Sequence, residues 1–299
     1  MCLVLIGWRA HPEYRLIVAA NRDEFYTRPT ESMRWWPELS GMLAGRDLGA
    51  KNRAADDPPG TWLGLGAAGR QESLHRHRFA TVTNVRNPKD ERADARSRGA
   101  LLMDFLRGDS ARGPRGELPD PEKYVLDVAA APDDYNGYNL VVSDLDSLWW
   151  HSNRSAAPPL ELAPGFHGLS NASFVSSVGP NPQDTDLTAP QPIWPKVRGG
   201  VAELRAVVES EPDAVSRYFE VLADRTRAVD ADLPDTGVPK RLERRLSSRF
   251  IADGLHGTRA STVLLVREDG SFEVAERTFG RFGRPRGTVS FRGTLELPA

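Results

Sequence analysis

A single cysteine stands in the 299 residues of this chain, which excludes an intramolecular disulfide framework and any CxxC metal or redox motif. So few thiols fit a reducing compartment. No apolar run approaches the roughly 20 residues that a bilayer-spanning helix needs, so no transmembrane segment is expected. The first ten residues, MCLVLIGWRA, also lack a basic leader, and about six apolar positions before Trp8 fall short of a signal-peptide core. The sequence therefore predicts a cytoplasmic protein. An excess of one charge is missing too. The 39 basic and 41 acidic residues leave a net charge of −2, which gives the whole molecule no general attraction to nucleic acid or other polyanions. Lysine is scarce, with 5 against 34 arginines, a skew that matches codon usage in a GC-rich bacterial genome. No internal repeat or low-complexity tract is present.

What the chain does have is enough apolar residue, 39%, to bury a substantial core. A single domain over residues 1–299 is expected, because no Pro- or Gly-rich stretch divides it. Residues 2 to 7 (CLVLIG) and 15 to 20 (RLIVAA) are continuous apolar runs on either side of a His-Pro-Glu turn, and read as a hairpin whose two faces are both covered. Further strands are predicted at Thr61 to Leu65, Phe79 to Val85, Asn139 to Ser143, Ser147 to His151, Ser261 to Arg267, Ser271 to Arg277 and Gly287 to Gly293. Helical spacing marks Asp94 to Leu106, Val197 to Val208 and Asp213 to Ala223, and more weakly Pro239 to Arg249. Gly108 to Pro121, Ser155 to Gly165 and Gly179 to Pro195 read as loops. Helices grouped between hairpins indicate an α+β protein in layers rather than a repeating βαβ chain.

The lone cysteine is residue 2. Removal of Met1 would place a thiol and an α-amine on one residue, and an amine of pKa about 7.7 to 8 can accept a proton from a thiol of about 8.5. The plain alternative is a small hydrophobe at the start of a core strand. Asn21, Arg22, Asp23 and Glu24 end the second run, and a tight hairpin sets them beside Cys2, where a guanidinium favours thiolate and a carboxylate can hold the amine. Otherwise they are a solvated turn. Asn84 and Asn171 also end strands or turns, and each can offer an amide N–H to an oxyanion or simply serve its turn. Trp62, between Gly60 and Gly64, allows close approach to a ligand or to a neighbouring strand. His75-Arg76-His77 has no carboxylate or thiol partner near it in sequence, so a metal site is not expected. The arginine-rich stretches Arg241 to Arg249 and Arg281 to Arg292 read as solvated faces, or as sites that could receive an anionic substrate tail.

Met1-Cys2, Asn21-Arg22-Asp23-Glu24-Phe25 with Arg28-Pro29-Thr30, Gly45-Arg46-Asp47, Gly60-Thr61-Trp62-Leu63-Gly64, Thr83-Asn84-Val85-Arg86, Gly168-Leu169-Ser170-Asn171-Ala172, Trp194-Pro195-Lys196 and Arg259-Ala260-Ser261-Thr262 together resemble the NRDE family. The likeness covers most of the chain. It implies an N-terminal nucleophile (Ntn) hydrolase-like fold: a four-layer αββα sandwich of two antiparallel sheets between helical layers. By similarity to Met-Cys amidases of that superfamily, the catalytic set would be Cys2, Arg22, Asp23, Asn84, Asn171 and Arg259, with Asn21, Glu24, Trp62, Arg86 and Trp194 binding substrate. The chain departs from the family pattern at Pro59, where a second glycine commonly stands, and in an expanded Arg70 to Arg78. The resemblance implies a Cys2 amidohydrolase or acyltransferase working on a small-molecule amide or acyl thioester, with no metal or cofactor. The alternative is a non-catalytic carrier of lipid, acyl-CoA or haem, its cavity lined by tryptophans. No nucleic-acid partner is expected in either case.

Overall fold

The computed structural model describes residues 2–50, 58–68, 76–109, 119–172, 176–178 and 194–297. Along the chain run β1 (Cys2–His11), β2 (Tyr14–Phe25), β3 (Thr30–Trp35), β4 (Leu43–Asp47), β5 (Leu63–Ala68), β6 (Arg76–Asn84), α1 (Arg98–Arg107), α2 (Pro121–Ala129), β7 (Tyr138–Ser143), β8 (Leu148–Ser152) and β9 (Leu160–Glu161). They are followed by β10 (Gly165–Leu169), β11 (Ser176–Val178), α3 (Pro195–Ser210), α4 (Val215–Leu222), α5 (Lys240–Arg245), β12 (His256–Arg267), β13 (Ser271–Gly280) and β14 (Arg284–Thr294). The protein is α+β, with two antiparallel sheets of seven strands each.

The chain forms two compact units. The first comprises Met1–Thr27, Arg86–Lys89 and Ala163–Thr294, and the second Arg28–Val85, Asp90–Leu162 and Leu295–Ala299. In the first the strand order is β11-β10-β1-β2-β12-β13-β14. One sheet face carries Leu3 and Leu5 of β1, Ile17 and Ala19 of β2, and Val263 and Leu265 of β12, which pack with Val197, Val201, Leu204 and Val208 of α3 and with Tyr218, Phe219 and Leu222 of α4. The α3 residues fall at i, i+4, i+7 and i+11, one stripe of a helix. Two glycines bring α3 this close. A Cβ on Gly168 would lie 2.6 Å from Val201 Cγ2, and one on Gly200 would lie 3.0 Å from Leu5 Cδ1. Val4, Ile6, Leu16, Val18 and Leu264 on the opposite face are also buried, as the continuous apolar runs of the β1–β2 hairpin predict.

The second unit has the order β3-β4-β5-β6-β7-β8-β9. Ala80 and Val82 of β6 and Leu140 and Val142 of β7 pack with Leu101, Leu102, Phe105 and Leu106 of α1 and with Tyr124, Val125 and Val128 of α2. Helix α2 lies at the end of a stretch read as loop. Its start follows from local chemistry: Pro121 fills the first turn, and the side chain of Asp120 accepts the Lys123 N–H at 2.7 Å.

The predicted strands and helices are present with shifted ends: α1 begins at Arg98 rather than Asp94, and β12 at His256 rather than Ser261. Strands β3, β4, β9, β10 and β11 are additional to those the sequence predicts. Arg241 to Arg249 is not wholly a solvated face, because Arg249 is buried. Its guanidinium bridges Glu203 at 2.6 Å and Asp224 at 2.7 Å, and it also donates to the Val221 carbonyl at 2.8 Å. Most of the loop expected at Gly179 to Pro195, much of the one at Gly108 to Pro121, His75, and residues 70–75 of the expanded segment lie outside the described residues.

Candidate active site

The β1–β2 register decides what stands beside the cysteine. Cys2 is directly opposite Arg22, and Leu3 opposite Asn21, so Cys2 and Arg22 project to the same side of the sheet. On the other edge of β1, Val4 pairs with Leu169 of β10, which brings the turn after β10 to Cys2. There Ser170 Oγ donates to the Cys2 carbonyl at 2.7 Å, and the Cys2 backbone N–H donates to Asn171 Oδ1 at 3.4 Å. Asn171 is fully buried. Because the Cys2 nitrogen is a donor, this contact fixes the amide of Asn171 with its oxygen toward Cys2. Asn171 therefore meets the Cys2 nitrogen through its acceptor oxygen.

Asp23 pairs with Thr258 of β12, and Arg22 pairs with Ala260. Arg259 is left as the extra residue of a β-bulge, a device that re-aims a side chain. It donates to the Phe25 carbonyl at 2.8 Å and lies 5.8 Å from the Tyr26 ring. Asp23 is 2% exposed and accepts from Thr258 Oγ1 at 2.6 Å. Burial pushes its carboxyl above the ordinary range, opposed by Lys196, the Thr258 hydrogen bond and Arg22. Burial likewise pushes the Cys2 thiol up, Asp23 adds to the rise, and Arg22 opposes it. Cys2 as a residue is nevertheless only half-buried.

Lys196 stands in the sequence as the end of the Trp194-Pro195-Lys196 motif, with no role predicted for it. It is buried in the first turn of α3, where the helix dipole disfavours a cation, and its Nζ donates to the Leu246 carbonyl at 3.3 Å. Burial lowers its pKa to about 8, while Asp23, Cys2 and Glu243 act to keep it charged. The Trp194 ring lies 5.5 Å from Lys196 Nζ and 5.5 Å from the Arg86 guanidinium. Arg86 in turn pairs with buried Glu243 at 2.6 Å, and its backbone N–H donates to the Asn171 carbonyl at 2.9 Å. Cys2, Asn171, Arg86, Glu243, Trp194 and Lys196 thus form one connected neighbourhood within the first unit.

Other expected residues have different surroundings. Asn21 sits in the same cluster of strand ends, but its Nδ2 donates to the Leu222 and Arg249 carbonyls at 2.9 and 2.8 Å, and its Oδ1 accepts from Ser261. Both amide hydrogens and the amide oxygen are thus engaged by the protein. Glu24 is partly exposed, 3.8 Å from Arg22. Asn84, at the end of β6 opposite Tyr138, and Trp62 belong to the second unit. Trp62 is buried across Gly45, where a Cβ would lie 2.2 Å from its Cη2, so two glycine-containing motifs of the sequence meet at this ring. Among the described residues, no group of three His, Cys, Asp or Glu side chains is placed to hold a metal ion. No described helix is long and apolar enough to cross a membrane.

A family model described as transport and Golgi organisation 2 matches residues 1–281. The chain belongs to that family. It is similar to the transport and Golgi organization protein 2 homolog of Bos taurus, 31% identical over 299 residues and covering 93% of each chain. It also resembles the Mus musculus homolog, 30% identical over 295 residues and again 93% of each chain. The Drosophila melanogaster transport and Golgi organization protein 2 is 24% identical over 296 residues, 93% of this chain and 92% of the fly protein. Cys2, Arg22, Asp23, Asn171 and Lys196 all lie within the segment that the family model matches, whereas β14 lies beyond it.

Proposed function

We propose that this member of the transport and Golgi organisation 2 family is an N-terminal-cysteine amidohydrolase or acyltransferase on an Ntn-hydrolase-like fold. The observation that carries the reading is the contact of the Cys2 backbone nitrogen with buried Asn171, on a residue paired with Arg22 and flanked by Asp23 and Lys196. Two antiparallel sheets, each with helices packed on one face, suit the αββα layering that such a fold requires.

With Met1 removed, the Cys2 nitrogen becomes an α-amine whose hydrogen bond to Asn171 Oδ1 orients it. The amine takes the thiol proton. The sulfur then forms a bond to the carbonyl carbon of an amide or acyl thioester, and the carbonyl π electrons move to oxygen. Collapse of this adduct breaks the bond to the leaving group, which carries away the proton held by the amine. Water or a second nucleophile then cleaves the acyl-cysteine. Burial keeps the resting thiol protonated, so the thiolate appears only as the amine accepts its proton. The ammonium of Lys196 and the guanidinium of Arg22 favour that thiolate, and the carboxylate of Asp23 holds Lys196 charged.

The carrier reading looks to tryptophans for a cavity lining. Trp62 packs on Gly45, Trp194 lies beside Arg86 and Lys196, and the Trp36 indole N–H donates to the Ala44 carbonyl at 2.9 Å. These rings are engaged in packing, which favours the catalytic reading. The test is turnover of a panel of linear amides and acyl thioesters together with intact-mass detection of an acylated protein. Wild type should acquire one acyl group and release it, and Cys2→Ala should do neither. A Cys2→Ala protein that turned over substrate at the wild-type rate would refute the proposal.

A further inference from the structure

The far end of β2 holds three large apolar side chains in water: Phe25 is 57% exposed, Leu255 69% and Phe282 61%. Folding assembles them from separate parts of the sequence. The Tyr26 N–H donates to the Leu255 carbonyl at 3.0 Å, and the Phe25 ring meets that of His256 edge-on at 5.2 Å. The Phe282 N–H donates to the Asp253 carbonyl at 2.8 Å, and its ring tip lies 3.0 Å from where a Cβ on Gly254 would stand. Phe282 also has a φ of 61°, a left-handed conformation that a bulky residue rarely adopts. The fold thus holds an aromatic ring in solvent at a backbone position better suited to glycine or asparagine.

Charge gathers beside this patch. From Arg277 through Leu295 the sequence holds five arginines and no acid, in a chain whose total charge is −2. Arg281, Arg284 and Arg286 are exposed around Phe282 and along the start of β14, an edge strand with no buried residue. Nearby acids are already paired: Asp253 with Arg245, and Glu24 with Arg22. The net charge of the whole molecule gives no attraction for an anionic surface, whereas this end carries a local excess of positive charge.

We propose that this end docks on an anionic lipid bilayer, with Phe25, Leu255 and Phe282 entering the interface and Arg281, Arg284 and Arg286 lying among the headgroups. Projecting apolar side chains ringed by arginine are what an interfacial contact uses. A fluid surface accepts them without matching pockets, which a folded acidic partner would have to supply. The docking does not depend on Cys2 being a nucleophile.

The test is vesicle flotation of the full chain, with phosphatidylcholine–phosphatidylserine vesicles at about 3:1 and with phosphatidylcholine alone, at low and high salt. Binding to the anionic vesicles should be clear at low salt, fall at least about tenfold at high salt, and be weak or absent without phosphatidylserine. Replacing Arg281, Arg284 and Arg286 together by Gln should weaken it on the order of a hundredfold, since each arginine near such a surface contributes a factor of about five. The pair Phe282→Asn and Leu255→Asn should cost about tenfold or more, and asparagine tolerates the left-handed backbone of Phe282. An unchanged thermal midpoint would show that these variants remain folded. No flotation with anionic vesicles at low salt, or flotation unaffected by the Phe282 and Leu255 changes, would overturn the proposal. Saturable binding to soluble heparin without vesicle binding would overturn it in favour of an acidic macromolecule.

Discussion

Replacing Lys196 by methionine removes a buried ammonium while keeping most of the length and apolar bulk of the side chain. Lysine ordinarily titrates near 10.5, and burial lowers Lys196 to about 8. That gap corresponds to about 3 kcal/mol. The sign follows from proton binding. Between pH 8 and 10.5 the unfolded chain holds a proton on this side chain that the folded chain has lost, so native stability rises with pH across that window. Below pH 8 both states are protonated and the full penalty persists. Lys196→Met abolishes this contribution. At pH 7 the net effect is smaller than 3 kcal/mol, because the buried carboxyl of Asp23 loses a cation that opposes its desolvation. The pH dependence separates the two. Urea denaturation of both proteins from pH 7 to 10.5 should show wild type gaining about 3 kcal/mol relative to Lys196→Met, with ionisations of groups remote from Lys196 cancelling in the difference. Parallel stability profiles would refute the claim that Lys196 is held as a desolvated cation.

Two further substitutions test the scaffold. Asn21→Ala deletes the donors to two carbonyls and the acceptor for Ser261, and should cost about 3 kcal/mol as a lower urea midpoint at unchanged slope; a loss under about 1 kcal/mol would mean that water replaces the amide. Gly45→Ala puts a methyl 2.2 Å from the Trp62 ring, and should destabilise by about 1–3 kcal/mol with a changed near-ultraviolet circular dichroism of the tryptophans. An unaltered spectrum and stability would contradict the close packing of ring on glycine.

The hairpin that presents Cys2 to Arg22 is legible in sequence because two continuous apolar runs flank a proline-containing turn, and the pairing of their ends follows from the short connection. The rest of the site is legible only in part. A lysine in the first turn of a helix reads as a solvated residue, and only the tertiary structure reveals that Lys196 is buried beside Asp23 and Glu243. Glu243 is hidden for a related reason, since it sits in an arginine-rich segment whose pattern suggests a solvated face. The sequence ties Asn171 to Cys2 only through the family resemblance, and it cannot say which end of the amide faces the cysteine; the donor character of the Cys2 nitrogen decides that. Strand β10 is obscured by glycines. Gly168 lowers strand propensity, yet the approach of Val197 and Val201 of α3 requires it. Helix α2 is obscured despite an Asp-Pro start signal, because the preceding proline- and glycine-rich stretch dominates the local composition.

The central claim is that Cys2 supplies both nucleophile and base, and this requires its own α-amine. Intact-mass measurement of the protein purified from its native host tests this directly. The expected mass lacks one methionine residue, as for a chain that begins at Cys2. Protein that retains Met1 throughout would contradict it, because the nitrogen beside Asn171 would then be an amide with no basic lone pair.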